Sequence, residues 1–351
     1  MGFGASSEAV LQVAFGVGVG ALGLTLVLVL QVGLMRVLQR RRERARAAVQ
    51  ARWQPLLLRR AIGDDVALPG LAPAEQLPLL LLWNHVADSL RGPSHDRLGE
   101  VVTALGLQQR ARRWLARGTG QRQLLGLLTL GHLRRAGDWD QVLPWLADPR
   151  PYLSLAAVRA LLQIDAERAA APVLDALVRR PDWPLARLAV LLRDAGSAQV
   201  FEPLLARLAD APPALAVRLV RLIAAVDAVR GSPALERQLA TSDDNDVLSV
   251  CLQHVQTPGA LQRVRELARH PVWWVRLQAA GALGRLGTRD DLPQLRALLS
   301  DPQWWVRYRA AGALAAMPGF TPQALAALRD TLDDRYARDV LTQVLGEGAL
   351  A

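Results

Sequence analysis

The sequence predicts an all-α chain: an apolar membrane-crossing helix followed by a stacked array of helical pairs, an α-solenoid. Three observations predict it. A 14-residue segment near the C-terminus recurs almost unchanged 31 residues further on, and repetition at such a period marks a solenoid. Apolar residues recur at helical spacing, with no strand-like alternation of comparable length. Near the N-terminus, Ala9 to Met35 form 27 consecutive residues without a charge.

Composition narrows the function classes. The chain has 351 residues, half of them hydrophobic and only 21% charged, which excludes a largely disordered chain. One cysteine, Cys251, excludes a disulfide scaffold, a cysteine-based zinc site and a redox pair of cysteines. All 42 basic side chains are arginine, against 32 acids, for a net charge of +10. Nine of them (Arg36, Arg40, Arg41, Arg42, Arg44, Arg46, Arg52, Arg59 and Arg60) fall in residues 36–60 with the single acid Glu43, so that stretch holds +8 of the +10. From 149 to 351, 24 arginines face 21 acids. A nucleic-acid-binding domain spreads positive charge over a face. This chain concentrates it, and no nucleic-acid partner is expected.

The uncharged stretch 9–35 is long enough as a helix to span about 40 Å, which crosses the hydrocarbon core with some tilt. A cleaved signal peptide needs a basic start and a shorter apolar run. Here no arginine precedes the run, and the arginines follow it. Basic residues flanking a span stay in the cytoplasm, which puts the N-terminus outside and residues 36–351 inside. Arg36, Arg40, Arg41, Arg42, Arg44 and Arg46 set this topology and lie within reach of anionic lipid headgroups. Gly18-Val19-Gly20-Ala21-Leu22-Gly23 matches the dinucleotide fingerprint, but no strand precedes it, so it is a false positive. Gly16 and Gly20 form the small-residue pair that lets two membrane helices pack closely.

The repeat organises the remainder. His270-Pro271-Val272-Trp273-Trp274-Val275-Arg276-Leu277-Gln278-Ala279-Ala280-Gly281-Ala282-Leu283 returns as Asp301-Pro302-Gln303-Trp304-Trp305-Val306-Arg307-Tyr308-Arg309-Ala310-Ala311-Gly312-Ala313-Leu314. Weaker copies start near 149, 181, 213 and 243. Each unit reads as two helices. Proline stands where a first helical turn tolerates its missing N–H. Val275, Ala279, Leu283 and Leu286 make one apolar stripe, Gly287-Thr288 breaks the chain, and Asp290 or Asp291 caps a second, leucine-rich helix. Ala280, Gly281, Ala311 and Gly312 are small enough for neighbouring helices to approach closely.

The pattern Asp-Pro-x-x-x-Val-Arg-x-x-Ala-Ala-x-Ala-Leu, a turn, a leucine-rich helix and Asp-Pro again resembles HEAT repeats, nearest the short bacterial kind also found in phycobilin-lyase-like proteins. The resemblance is sharp over 269–332 and traceable back to about 117. It implies a HEAT-like α-solenoid whose second helices line a concave surface and whose usual work is binding proteins. It also implies an Arg at positions 276 and 307 that pairs with an acid across repeats, Asp301 being a candidate. Many bacterial members are tethered to membranes, some beside envelope or polysaccharide machinery.

The expected organisation is therefore a tail (1–8), a transmembrane helix (9–35), a basic juxtamembrane helix (36–60), a helical cap region (61–116) and the repeat array (117–351). Trp273-Trp274 and Trp304-Trp305 are the candidate protein-binding residues, with Tyr308 and Arg309 beside them. Adjacent helical residues point about 100° apart, so one Trp of each pair is expected between repeats and the other nearer the surface. Trp and Arg dominate interface energies. His85, Asp88, His95, Asp96 and Glu100 gather metal-ligating types at spacings that match no established site, so no metal is expected. Cys251 and His254 lack the oxyanion element and second acid of a nucleophilic site. The expected function is a non-catalytic scaffold without a cofactor, holding a protein partner at the cytoplasmic face of a bacterial inner membrane. The alternative is an accessory subunit of a membrane enzyme such as an envelope-polysaccharide glycosyltransferase.

Overall fold

The computed structural model describes the backbone of residues 4–317 and 320–348, and the side chains from residue 24 onward within these except at 25, 27, 38, 41, 42, 197, 198 and 348. Every described element is helical, and the chain divides into two compact units, Met1–Leu133 and Arg134–Ala351.

The first unit begins with α1 (Gly4–Ile62), a 59-residue helix. Its last turns place Val49, Trp53, Leu57 and Ala61 on one face at four-residue spacing, all of them buried. That face packs on α2 (Gln76–Ser89) and α3 (Pro93–Ala104). Burial of Trp53, Leu57, Leu80 and Trp83 here supplies roughly 1.5–3 kcal/mol per large side chain. α4 (Leu107–Arg117) and α5 (Gly120–Leu133) close the unit. The expected juxtamembrane helix is thus continuous with the segment before it, and its end belongs to a globular core. Three of its arginines are also engaged: Arg52 with Glu75 at 3.2 Å, Arg59 with Asp64 at 3.0 Å and Arg60 with Asp65 at 2.6 Å. Arg36, Arg40, Arg44 and Arg46 are exposed.

Among the described residues no helix is long and apolar enough to cross a membrane. The expected span over 9–35 lies mostly outside the described side chains, as do Gly16, Gly20, Arg41 and Arg42. From Leu24 to Met35, every large apolar side chain among the described residues is exposed.

The second unit opens with a short α6 (Trp139–Val142) between 3₁₀ turns. Helical pairs follow: α7 (Pro151–Ile164) with α8 (Ala166–Arg179), then α9 (Leu185–Asp194) with α10 (Ser197–Ala209). α11 (Pro213–Thr241) contains a further pair, because Asp227 breaks the helix with φ −157° and ψ 96°. Then come α12 (Asn245–His254) with α13 (Leu261–Leu267), α14 (Trp273–Leu286) with α15 (Leu292–Leu298), α16 (Trp304–Ala316) with α17 (Pro322–Asp330), and α18 (Arg335–Gly348). First helices start at 151, 185, 213, 245, 273 and 304, each within a few residues of a repeat start read from the sequence.

The turn at Asp227 repeats the one at Asp165, which has φ −158° and ψ 100°. Each aspartate accepts a backbone N–H three residues on, from Arg230 and Arg168 respectively, and so caps the second helix. Between repeats, long side chains reach back to the carbonyls that end a preceding helix. Arg218 donates to Leu177 O at 3.1 Å, Gln238 to Leu208 O at 2.9 Å, Arg263 to Leu239 O at 3.0 Å and Arg285 to Leu252 O at 2.6 Å. First helices also pack directly on one another, α12 on α14 and α14 on α16. There the close approach depends on Gly284 rather than on Gly281 or Gly312. A Cβ at Gly284 would lie 2.7 Å from Ala313 Cβ and 2.8 Å from its Cα, whereas one at Gly312 would meet nothing within 4 Å.

Candidate protein-binding surface

α14 and α16 each begin on their tryptophan pair, after an extended residue at the cap (Val272 and Gln303). An inter-repeat ion pair fixes their relation. Arg276 donates to both oxygens of buried Asp301, at 2.7 and 3.0 Å, and to the carbonyls of His270 and Pro271. Its pKa is raised by the bond to Asp301. Arg307, the matching residue, donates instead to the Asp301 and Pro302 carbonyls and lies 5.4 Å from the centre of the Tyr336 ring. Of the two arginines expected to pair across repeats, Arg276 is thus the one that binds Asp301.

The tryptophans depart from the expectation of one buried and one exposed per pair. Trp273 is half-buried, and Trp274, Trp304 and Trp305 are 39%, 38% and 57% exposed. The reason is their place in the first turn, where they project beyond the packed part of the helix. Each pair instead packs on itself, edge to face, with ring centres 5.9 Å apart at Trp273–Trp274 and 4.7 Å at Trp304–Trp305. Trp304 also stacks on Tyr308 at 5.2 Å and 15°. Tyr308 donates its hydroxyl to Glu347 Oε2 at 2.7 Å, which raises the phenol pKa and lowers that of the carboxyl.

Beside the second pair lies a groove of about 630 Å³, walled by Trp305, Tyr308 and Arg309 on α16, Arg285 on α14 and Val344 on α18. Gly281 and Gly312 form part of its lining. The resemblance placed the binding face on the second helices, yet this groove is lined by first helices and by α18.

The other candidates resolve differently. Cys251 is fully buried, and burial pushes its thiol up to about 12. Beside it, burial and the charges of Arg285 and Arg221 push His254 down. His95 is buried with its Nε2 3.3 Å from Nδ1 of His132, a residue sequence reasoning missed because it lies on α5, 37 residues away. His132 Nε2 lies 2.8 Å from Asp88 Oδ1. His85 stays exposed, and no three potential ligands gather into a metal-holding group among the described residues.

No curated protein matches the chain. A solved structure described as that of an engineered protein is 18% identical, over 77% of this chain and 85% of its own, with a TM-score of 0.32. A family model described as HEAT repeats matches residues 248–303 and again 261–346. Both tryptophan pairs lie within the region that matches the HEAT-repeat model.

Proposed function

We propose that this chain is a non-catalytic HEAT-repeat scaffold, anchored in a bacterial inner membrane, that holds a protein partner at the cytoplasmic face. One observation carries the binding half: four tryptophans open successive repeats, and none is buried. A repeat array gains stability by stacking its apolar faces. Indoles left outside that stack contribute little to folding, while Trp, Tyr and Arg are the side chains that supply most interface energy. Trp304, Trp305, Tyr308 and Arg309 gather all three types on one helix.

The anchoring half is supported by α1. Leu28, Val29 and Leu30 are successive residues, pointing about 100° apart, and all three are more than half exposed. A helix apolar on all sides has hydrocarbon or protein around it, not water. Exposed Arg36, Arg40, Arg44 and Arg46 follow directly, as the orientation toward the cytoplasm requires.

The test is affinity purification of the full chain in mild detergent, compared with Trp274→Ala and with Trp304→Ala/Trp305→Ala. Loss of a hot-spot tryptophan costs at least about 2 kcal/mol, roughly thirtyfold in affinity. A specific partner depleted by these variants, with helicity unchanged, supports the scaffold reading. Undiminished capture by every variant removes the tryptophans from it.

A further inference from the structure

The groove beside Trp305 is lined by two arginines, Arg285 and Arg309, neither of which forms an ion pair among the described residues. A Cβ built at Gly281 would stand 3.4 Å from Arg309 Cδ and 3.7 Å from Arg285 Nη1, so both arginines converge over one glycine. Arg285 uses donors on the carbonyls of Gly281 and Leu252, and no carboxylate pairs with it. Arg309 has no hydrogen bond or ion pair among the described residues. Arg150, Arg180, Arg265 and Arg276 of the same unit each hold an aspartate at 2.6–2.8 Å, while Arg218 and Arg307, like Arg285, donate to backbone carbonyls. One acid, Glu347, also lines the groove; its two oxygens accept from Tyr308 and Gln343 and bridge neither arginine, so the lining keeps an excess of one positive charge.

The two arginines also act on each other: partial desolvation, then the charge of Arg309, lowers the pKa of Arg285. Like charges brought together in a groove repel, and the arrangement is relieved when an anion occupies it.

We propose that the groove over α14 and α16 docks an acidic segment of the protein partner. Its carboxylates bridge Arg285 and Arg309, and an apolar side chain rests over Gly281 and Gly312 against Trp305. This deepens the scaffold reading and rests on it. The bidentate geometry of guanidinium suits carboxylates, and the indole beside it favours a segment with an apolar anchor. A nucleic acid is disfavoured because the unit as a whole is nearly neutral, with 24 arginines against 21 acids from 149 to 351, and provides little long-range attraction for a polyanion.

Fluorescence anisotropy of the full chain in detergent tests this, with a fluorescein-labelled peptide of glutamates flanking a central phenylalanine. The comparisons are the same peptide with glutamines and a single-stranded oligonucleotide of equal charge. The expected result is saturable binding of the glutamate peptide alone, weakened by salt. It should be weakened about tenfold or more by Arg309→Gln, and likewise by Gly312→Leu, which fills the groove from a position with open space around it. Absence of glutamate-peptide binding, equal binding of the glutamine peptide or the variants, or tighter binding of the oligonucleotide overturns the proposal. Arg309→Gln and Gly312→Leu that capture the partner as well as the parent, while the tryptophan variants do not, overturn this inference and leave the scaffold standing. Tryptophan variants that lose nothing defeat the scaffold reading itself.

Discussion

Two aspartates do much of the work of joining repeats, and both are almost fully buried. Asp291 accepts from Arg265 of the preceding repeat at 2.6 and 3.2 Å and from the Thr288 backbone at 2.8 Å. Burial alone would raise its pKa, but these donors outweigh burial and the carboxyl is held below its usual range. A depressed folded-state pKa means a contribution that is complete above the ordinary carboxylate range and disappears as pH falls through the depressed value. Asp291→Asn should therefore lower stability by about 2 kcal/mol at neutral pH and flatten the acid limb of the stability profile, read by urea melts across pH. Arg276→Met should cost about 3 kcal/mol, because it strands Asp301 without its partner. Cys251 gives a third test. With its thiol near 12, thiolate is about one part in ten thousand at pH 8. Iodoacetamide should leave the folded chain unlabelled and modify it once it is unfolded, and rapid labelling of the native protein would contradict the buried assignment.

At the scale of elements, the contact between α14 and α16 turns on one glycine. Gly284→Ala pushes a methyl against the Ala313 backbone and should cost about 1–3 kcal/mol. Gly312→Ala, on the next repeat's first helix and facing open space, should be neutral or stabilise by up to about 1 kcal/mol. Thermal melts of the two variants separate them. The sequence pointed to Gly281 and Gly312 because they recur at the repeat period, but recurrence does not say which side of a helix meets its neighbour. Repeat starts were legible for a firmer reason: at most of them a proline stands within a few residues of the first apolar stripe, as Pro271 and Pro302 do two residues before α14 and α16. The break at Asp227 was harder to see, having neither glycine nor proline. The signal is there in hindsight, since Asp165-Ala166-Glu167-Arg168 and Asp227-Ala228-Val229-Arg230 share both the aspartate and its spacing to the capped N–H. The tryptophans were misjudged because a 100° step presumes the middle of a helix, and these stand in a first turn where little packs against them.

For the molecule as a whole, charge and hydropathy divide the work between the ends of the chain. The apolar, exposed row from Leu24 to Val37 should keep the full chain in the membrane pellet after alkaline carbonate extraction. Leu28→Arg with Val29→Arg should release it, since an arginine costs about 2.5–3.5 kcal/mol at the centre of a span and these two positions lie within its inner half. The excess of arginine after that row was legible from composition, but its partial neutralisation by Asp64, Asp65 and Glu75 was not, since those pairs depend on how the chain folds back after α1. The proposed binding region could be read from the sequence as candidate residues and not as a shape: a groove between first helices arises only when Arg285 and Arg309 come from neighbouring repeats. Site-specific photo-crosslinking tests the central claim most directly, with Trp305→benzoylphenylalanine in the full chain and Arg296→benzoylphenylalanine on α15 as the comparison. The account predicts a discrete adduct to one protein partner from position 305 and none from 296. Adducts of equal yield at both positions, or none at 305, would contradict it.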